Sequence, residues 1–361
     1  MNMLARYILR EFFRTSAAIL LGIITLYLSV TFLKDADDFI KHHATMAQIG
    51  RYYLYSIPGL LGQALPFAAL IGTLLSLGAL SRNQEITAMR AGGVSILRIT
   101  FPILLGGTLM SVFSFLNNEM LTPAYSARAA QIRSVEVEKK QERVVFQQRK
   151  LWLRGPDNSI ANIELVSPDR REMVGVNVFK LAPDFTVRER IRAGRLIWEQ
   201  DAWKIRDSLK FSPTGTAVAV SSADGEVYNV VDRPEDMSMI VKDSVEMDFA
   251  ELLAYVRKLK ASGYKAVRYE VDLYGKIASP FACLLMVMIA APLSMQRARS
   301  GGAARGIAVA VMIAAVYWAL VSGGRALGLS GALLPLPAAW LANIVFAVAA
   351  FAALLRMQRQ A

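Results

Sequence analysis

The chain has a single cysteine and two histidines in 361 residues. Cys283 on its own closes no intrachain disulfide, so any water-exposed domain folds without covalent staples. His42 and His43 are neighbours. Adjacent positions do not share a helix face, which argues against a metal pair, and they cannot satisfy the His-Glu-x-x-His spacing of a zinc protease. The phosphate-cradling pattern Gly-x-x-x-x-Gly-Lys-[Ser/Thr] is also missing: the one Gly-Lys pair, Gly275-Lys276, is followed by Ile277. The chain is therefore not its own conventional ATPase. There is no Gly-x-Ser-x-Gly nucleophile elbow either.

Charge is missing from six long stretches. Residues 15–33, 52–81, 99–118, 277–296, 306–324 and 326–355 contain no Asp, Glu, Lys or Arg. A helix crosses the hydrocarbon core of a bilayer with about 20 mostly apolar residues, and each stretch approaches or exceeds that. The stretches carry no paired carboxylates, which excludes an intramembrane aspartyl protease and argues against ion or proton coupling. Energy, if it is used, has to enter from elsewhere.

What is present fits a multi-pass membrane protein. The composition is 54% hydrophobic and the formal net charge is +12. The basic residues flank the spans and form no patch interleaved with aromatics, so they argue for topology and against nucleic acid. Arg6, Arg10 and Arg14 precede the first span. Arg82, Arg90 and Arg98 lie between spans two and three, Arg297, Arg299 and Arg305 between four and five, and Arg356 and Arg359 at the end. Short basic segments belong to the cytoplasm, so both termini are expected inside and the long polar block outside. The first apolar run is too long for a signal peptide and no small-residue cleavage site follows it, so it is expected to stay as a helix.

Three spans before the block and three after it give a 3 + 3 helical membrane protein with an inserted all-β, jelly-roll-like domain. The expected boundaries are 1–120 for the first three spans, 121–246 for the β-domain, 247–265 for a connecting amphipathic helix and 266–361 for the last three spans. Strand-like runs occur at 144–146, 151–153, 159–163, 174–179, 195–198, 202–205 and 217–220, separated by turn residues such as Gly155-Pro156-Asp157-Asn158 and Asp224-Gly225. Asp248 and Glu251 form a capping box before Leu252, Leu253, Val256 and Leu259, and Gly263 supplies a stop. Pro58 and Pro66 in the second span and Pro280 and Pro292 in the fourth read as kinks or as matched broken helices.

The most informative short segment joins spans two and three. Ser81 and Gln84 fit a capping box and Gly92-Gly93 a stop, which predicts a short helix over about 82–91. Glu85 falls in its first turn, where the helix dipole favours a carboxylate. Ile86, Met89 and Arg90 project together. The segment reads equally as a tight solvated loop or as a helix seated in a cleft of a cytoplasmic partner, with Glu85 on a basic group and Ile86 and Met89 in an apolar slot. At or beyond the outer span ends, Lys34, Lys41, Arg51 and Arg325 read either as interfacial snorkelling cations or as partners for lipid phosphates.

The run Asn83-Gln84-Glu85-Ile86-Thr87-Ala88-Met89-Arg90-Ala91-Gly92-Gly93-Val94-Ser95 resembles the signature of the lipopolysaccharide-export permeases, the paired F and G subunits of an ABC transporter. So do Arg268-Tyr269-Glu270-Val271, Lys276-Ile277-Ala278-Ser279-Pro280, Ala290-Ala291-Pro292-Leu293 and Leu334–Asn343. The last stretch departs from the family's usual form, with Leu336 between the prolines and Ala342 in place of proline. The resemblance points to the G type. It implies pairing with an F/G-type subunit, two copies of a cytoplasmic ABC ATPase docked on the helix around Glu85, and no cofactor of its own, ATP being used by the partner. It implies that lipopolysaccharide is taken from the outer leaflet of the inner membrane and passed through the β-domain to a periplasmic bridge component and its inner-membrane anchor. The rival readings are an ABC permease for lipoproteins or another lipid, and a membrane scaffold with a partner-binding β-domain.

Overall fold

In the computed structural model, the described residues are all but 1–2, 139–143, 148–149, 156–157, 168–170, 183, 185, 215–216, 230–233, 235–242, 262, 297–302 and 360–361. Two compact units emerge: residues 1–133, 244–252 and 267–361 form a helical unit, and residues 134–243 with 253–266 form a sheet unit.

The helical unit is built from α1 (Met3–Lys41), α2 (Met46–Arg82), the short α3 (Glu85–Ala91), α4 (Ile96–Leu116), α5 (Thr122–Gln131), α7 (Val267–Gln296), α8 (Ala303–Leu329) and α9 (Pro335–Arg359). Six of its helical rods are long and apolar enough to cross a membrane. The third rod runs from Ile96 to Val137 because π-helical turns at Asn117–Leu121 and Ile132–Val137 carry α4 into α5 and beyond. The boundary expected at residue 121 therefore falls inside a helix, and the first strand starts only at Val144.

α2 and α7 form the centre. One apolar cluster joins Ile8 and Phe12 of α1, Leu77 of α2, Ile103 of α4 and Val287 of α7; another joins Leu70 of α2, Met286 of α7, Tyr317 of α8 and Phe346 of α9. Close approach is set by small residues. At Gly106 an added Cβ would lie 2.7 Å from the Phe12 ring, so only glycine admits that ring against α4.

Lipid offers no hydrogen bonds, so polar atoms inside the rods have to find partners within the protein. The Ser111 hydroxyl donates to the carbonyl of Pro280 at 2.8 Å and accepts from the amide of Leu284 at 3.2 Å. Asn117 donates to the carbonyl of Pro58 at 2.8 Å. Asn343 donates to the carbonyl of Ala278 at 2.6 Å and accepts from the Tyr317 hydroxyl at 2.8 Å, joining α7, α8 and α9. Pro58 and Pro66 lie within α2 and Pro280 and Pro292 within α7, and both helices continue past them.

The sheet unit holds seven antiparallel strands: β1 (Val144–Gln147), β2 (Lys150–Gly155), β3 (Ser159–Val166), β4 (Glu172–Leu181), β5 (Val187–Glu199), β6 (Ala202–Thr214) and β7 (Ala217–Ser221). Their order across the sheet is their order in the chain, a meander among the described strands. The inserted β-domain is thus present, with a strand at every run the sequence marks. β5 and β6 extend well beyond those runs, into residues rich in charge. One face packs an apolar core that includes Leu153, Ile163, Val178, Leu196, Ile205 and the fully buried Trp203. The opposite face carries cross-strand ion pairs such as Arg206–Glu199 and Arg195–Glu172, while Lys180–Glu189 closes the edge of the core face. This alternation is what a sheet with one dry and one wet face requires.

α6 (Phe249–Ala261) begins in the helical unit and continues in the sheet unit. Asp248 caps it by accepting from the Glu251 amide at 2.7 Å. Gly263, at φ +81°, ends it, with the Tyr264 amide returning to the Leu259 carbonyl.

Candidate functional site

The segment between α2 and α4 folds as a helix, but not with the predicted cap. α2 runs through Ser81 to Arg82, so Ser81 is interior and has no cap to make. The apolar pattern of α2 continues to Leu80, and a helix already in progress overrides the capping-box template. Gln84 at φ +63° makes the break instead, with no side-chain cap, and α3 spans seven residues. Its stop is as predicted: Gly93 has φ +81° and the Val94 amide bonds the Met89 carbonyl. The capping box at the helix start of α2 is formed by Thr45 and Gln48.

Glu85 is held from within the chain. Its carboxylate accepts from the Tyr7 hydroxyl of α1 at 3.0 Å and from the Asn83 amide at 3.4 Å. Ile86 is buried, 6% exposed, and Met89 packs on the same apolar cluster as Ile8 and Leu80. Ile86 thus plugs α3 into the chain's own bundle and Met89 packs partly against it, so the apolar side expected to face outward is turned largely inward. The face that remains outward carries Thr87, Ala88, Arg90 and Ala91.

The four predicted cations lie on three helices. Lys34 and Lys41 are exposed on the last turns of α1 and make no ion pair among the described residues; Arg51 is exposed near the start of α2. Arg325, near the end of α8, is engaged by Asp272 of α7 at 2.9 Å. The other oxygen of Asp272 accepts from the Ser244 hydroxyl at 2.8 Å. Asp272 is far from both partners in sequence, and no local pattern announces it. Sequence reasoning also missed Arg133, which meets Asp38 at 3.3 Å, Asp35 at 3.7 Å and the Tyr52 hydroxyl at 3.3 Å.

Between α1, α2 and α8 an open groove of about 380 Å³ is lined by Ile23, Phe67, Leu70, Ile71, Val311 and Trp318 among others, with almost no polar surface. Small-molecule sites span about 300–1,000 Å³, but this one lacks the polar groups that would orient a polar ligand. It is suited to hydrocarbon. α1 and α8 are also the two rods least buried within the chain. No cluster of His, Cys, Asp or Glu able to hold a metal occurs among the described residues.

Comparison with known proteins adds the following. The family described as "Lipopolysaccharide export system permease LptF/LptG" matches residues 6–356. Among curated proteins, the chain is similar to the lipopolysaccharide export system permease protein LptG of Escherichia coli strain K12, 23% identical over 303 residues, 80% of each chain. It is similar to the protein of the same name from Haemophilus influenzae strain Rd, 18% identical over 317 residues, 88% of each.

Proposed function

Because the chain belongs to the LptF/LptG family of lipopolysaccharide export permeases, we propose that it is a transmembrane subunit, of the G type, of an ABC-type exporter in the bacterial inner membrane. It takes lipopolysaccharide from the outer leaflet and passes it by way of its β-domain to a periplasmic bridge. The observation that carries this reading is the family match across nearly the whole chain. The G-type assignment draws on the names of the curated relatives.

The bundle's chemistry supports the lipid. The uncharged runs keep charge out, Ser111, Tyr317 and Asn343 are bonded within the protein, and the groove beside α1 and α8 is lined by hydrocarbon. Lys34, Lys41 and Arg51 supply exposed cations for phosphate groups. Arg325 joins them only by exchanging Asp272 for the lipid. Energy comes from a cytoplasmic ABC ATPase present in two copies. It docks on the outward face of α3, around Thr87, Ala88 and Arg90, while Glu85, Ile86 and Met89 hold α3 on the bundle. A paired F/G-type subunit completes the cavity, and the β-domain faces the periplasm with both termini inside.

The test is affinity purification of the tagged chain in mild detergent, with mass spectrometry of proteins and lipids together. The expected result is an F-type permease, an ABC ATPase and lipopolysaccharide. Arg90→Glu should lower ATPase recovery at least tenfold and leave membrane insertion intact. Full ATPase recovery with Arg90→Glu would remove α3's outer face from the docking surface, and a wild-type preparation with neither ATPase nor lipid would sink the exporter reading.

A further inference from the structure

A line crosses the sheet where the strands stop behaving as strands. In a regular strand, buried side chains recur every two residues. In β4 the buried positions step by three, from Met173 to Val176; in β5 from Ala193 to Leu196; in β6 from Ile205 to Ser208. The three jumps lie side by side. The pairing register passes over the same places, going from Ile163↔Val176 to Leu165↔Val174, from Val174↔Arg195 to Val176↔Ala193, and from Ala193↔Ser208 to Arg195↔Arg206. No residue is inserted, so the line is a fold in the sheet and not a bulge. It consists of Glu164, Gly175, Gly194 and Asp207.

The backbone there is bent where bending is costly. Gly175 has φ +65° and Asp207 has φ +55°, a left-handed conformation that side chains rarely adopt within a strand. The glycines are also the places where carboxylates lie flat. A Cβ at Gly175 would sit 2.8 Å from the Glu164 side chain, and one at Gly194 would sit 3.0 Å from that of Asp207. Each carboxylate is clamped by a cation. Arg195 holds Asp207 through two hydrogen bonds, at 2.9 and 3.1 Å. Lys258 of α6 holds both the Glu164 carboxylate, at 3.3 Å, and its backbone carbonyl, at 3.2 Å. One turn earlier on α6, the Tyr255 hydroxyl bonds the Val166 carbonyl at 3.4 Å.

We infer that the row Glu164–Gly175–Gly194–Asp207 is a bending line across the sheet, worked from its Glu164 end by α6 through Lys258. Glycine kinks are how sheets acquire sharp curvature. Here the kink is gripped at one end by the helix whose chain continues, through Tyr264–Ala266, into α7. A displacement of α6 is therefore delivered to the crease, and the two halves of the sheet change their mutual angle. This is independent of what the chain transports.

The test uses the full-length chain in lipid nanodiscs with Cys283→Ala, spin labels on Val187→Cys at the start of β5 and Gln200→Cys in the turn just after its end, and pulsed dipolar distance measurement. Lys258→Glu should move the main distance outside the width of the parent distribution. Adding Glu164→Lys, which restores the ion pair with its charges exchanged but not the bond to the backbone carbonyl, should bring it part of the way back, a rescue that misfolding would not show. One unchanged narrow distribution in all three proteins makes the crease a static corner and overturns the proposal. So does a shift that the charge exchange does not reduce at all, because the ion pair between Lys258 and Glu164 is then no part of what sets the angle.

Discussion

The helical unit and the sheet unit solve the same problem, burying polar backbone, in opposite solvents. In the helical unit each backbone bond is local, and within the uncharged runs the side chains that add to it are neutral: Ser111, Asn117, Tyr317 and Asn343 bond backbone carbonyls or one another, while charged pairs such as Arg325–Asp272 and Arg133–Asp38 lie outside those runs. In the sheet unit many of the added interactions are charged, paired across strands and open to water, as with Arg206–Glu199 and Arg195–Glu172. The difference follows from what each loses by failing. An unpaired charge in hydrocarbon costs several kcal/mol, whereas one in water costs little. The sheet can therefore place charge densely on its wet face, and it draws its stability from the dry one.

That contrast can be broken where it is strongest. Trp203 is fully buried and meets Trp198 edge-on at 5.3 Å. Trp203→Ala should cost the sheet unit about 3–5 kcal/mol, read as early loss of its cooperative thermal transition while the helical signal by circular dichroism persists. Simultaneous loss of both signals would show that the units do not melt separately. Next in size, Asn343→Ala removes the partner of the Tyr317 hydroxyl and the donor to the Ala278 carbonyl. Interhelical bonds in membranes are worth about 0.6–1.7 kcal/mol, so resistance to denaturing detergent should fall by about that amount. Pairing it with Tyr317→Phe should be less than additive.

The smallest effect sharpens the comparison by pH. Asp224 accepts from the Ser208 hydroxyl at 2.7 Å and from its amide at 2.8 Å, and these bonds, the hydroxyl's foremost, hold its carboxyl below the ordinary value. A lowered folded pKa stabilises the fold fully above the unfolded value of about 4 and loses that contribution as pH falls through the folded one. The melting-temperature gap between wild type and Asp224→Asn should be constant at neutral pH and narrow below about pH 4. A gap independent of pH would assign the role of Asp224 to shape.

Much of this was readable from the chain. The spans stand out because charge is excluded from them, and every strand was marked at its apolar centre. The ends of β5 and β6 were not, because Arg188, Glu189 and Arg190 at one end and Arg206 and Asp207 within the other look like loop. Arg188, Arg190 and Arg206 lie on the wet face, Asp207 at the crease and Glu189 at the edge of the dry face, where charge is tolerated. The helix around Glu85 was legible from its glycine stop, but its start was misplaced and its faces exchanged. Ile86 and Met89 are apolar in either role, and only packing decides which surface they meet. Asp272 and Arg133 were invisible for a simpler reason: each acquires meaning from partners distant in sequence.

The rod that begins with α4 reaches two neighbours by the same device. Ser111 takes hold of the carbonyl of Pro280 and Asn117 that of Pro58. Every residue type brings a carbonyl, so no replacement at 58 or 280 that preserves the helix deletes the acceptor, whereas one nucleotide change can delete either donor. Sensitivity to replacement at this three-helix junction is therefore lopsided: the acceptors survive changes of side chain at 58 and 280, and both bonds hang on two small polar side chains of the giving rod.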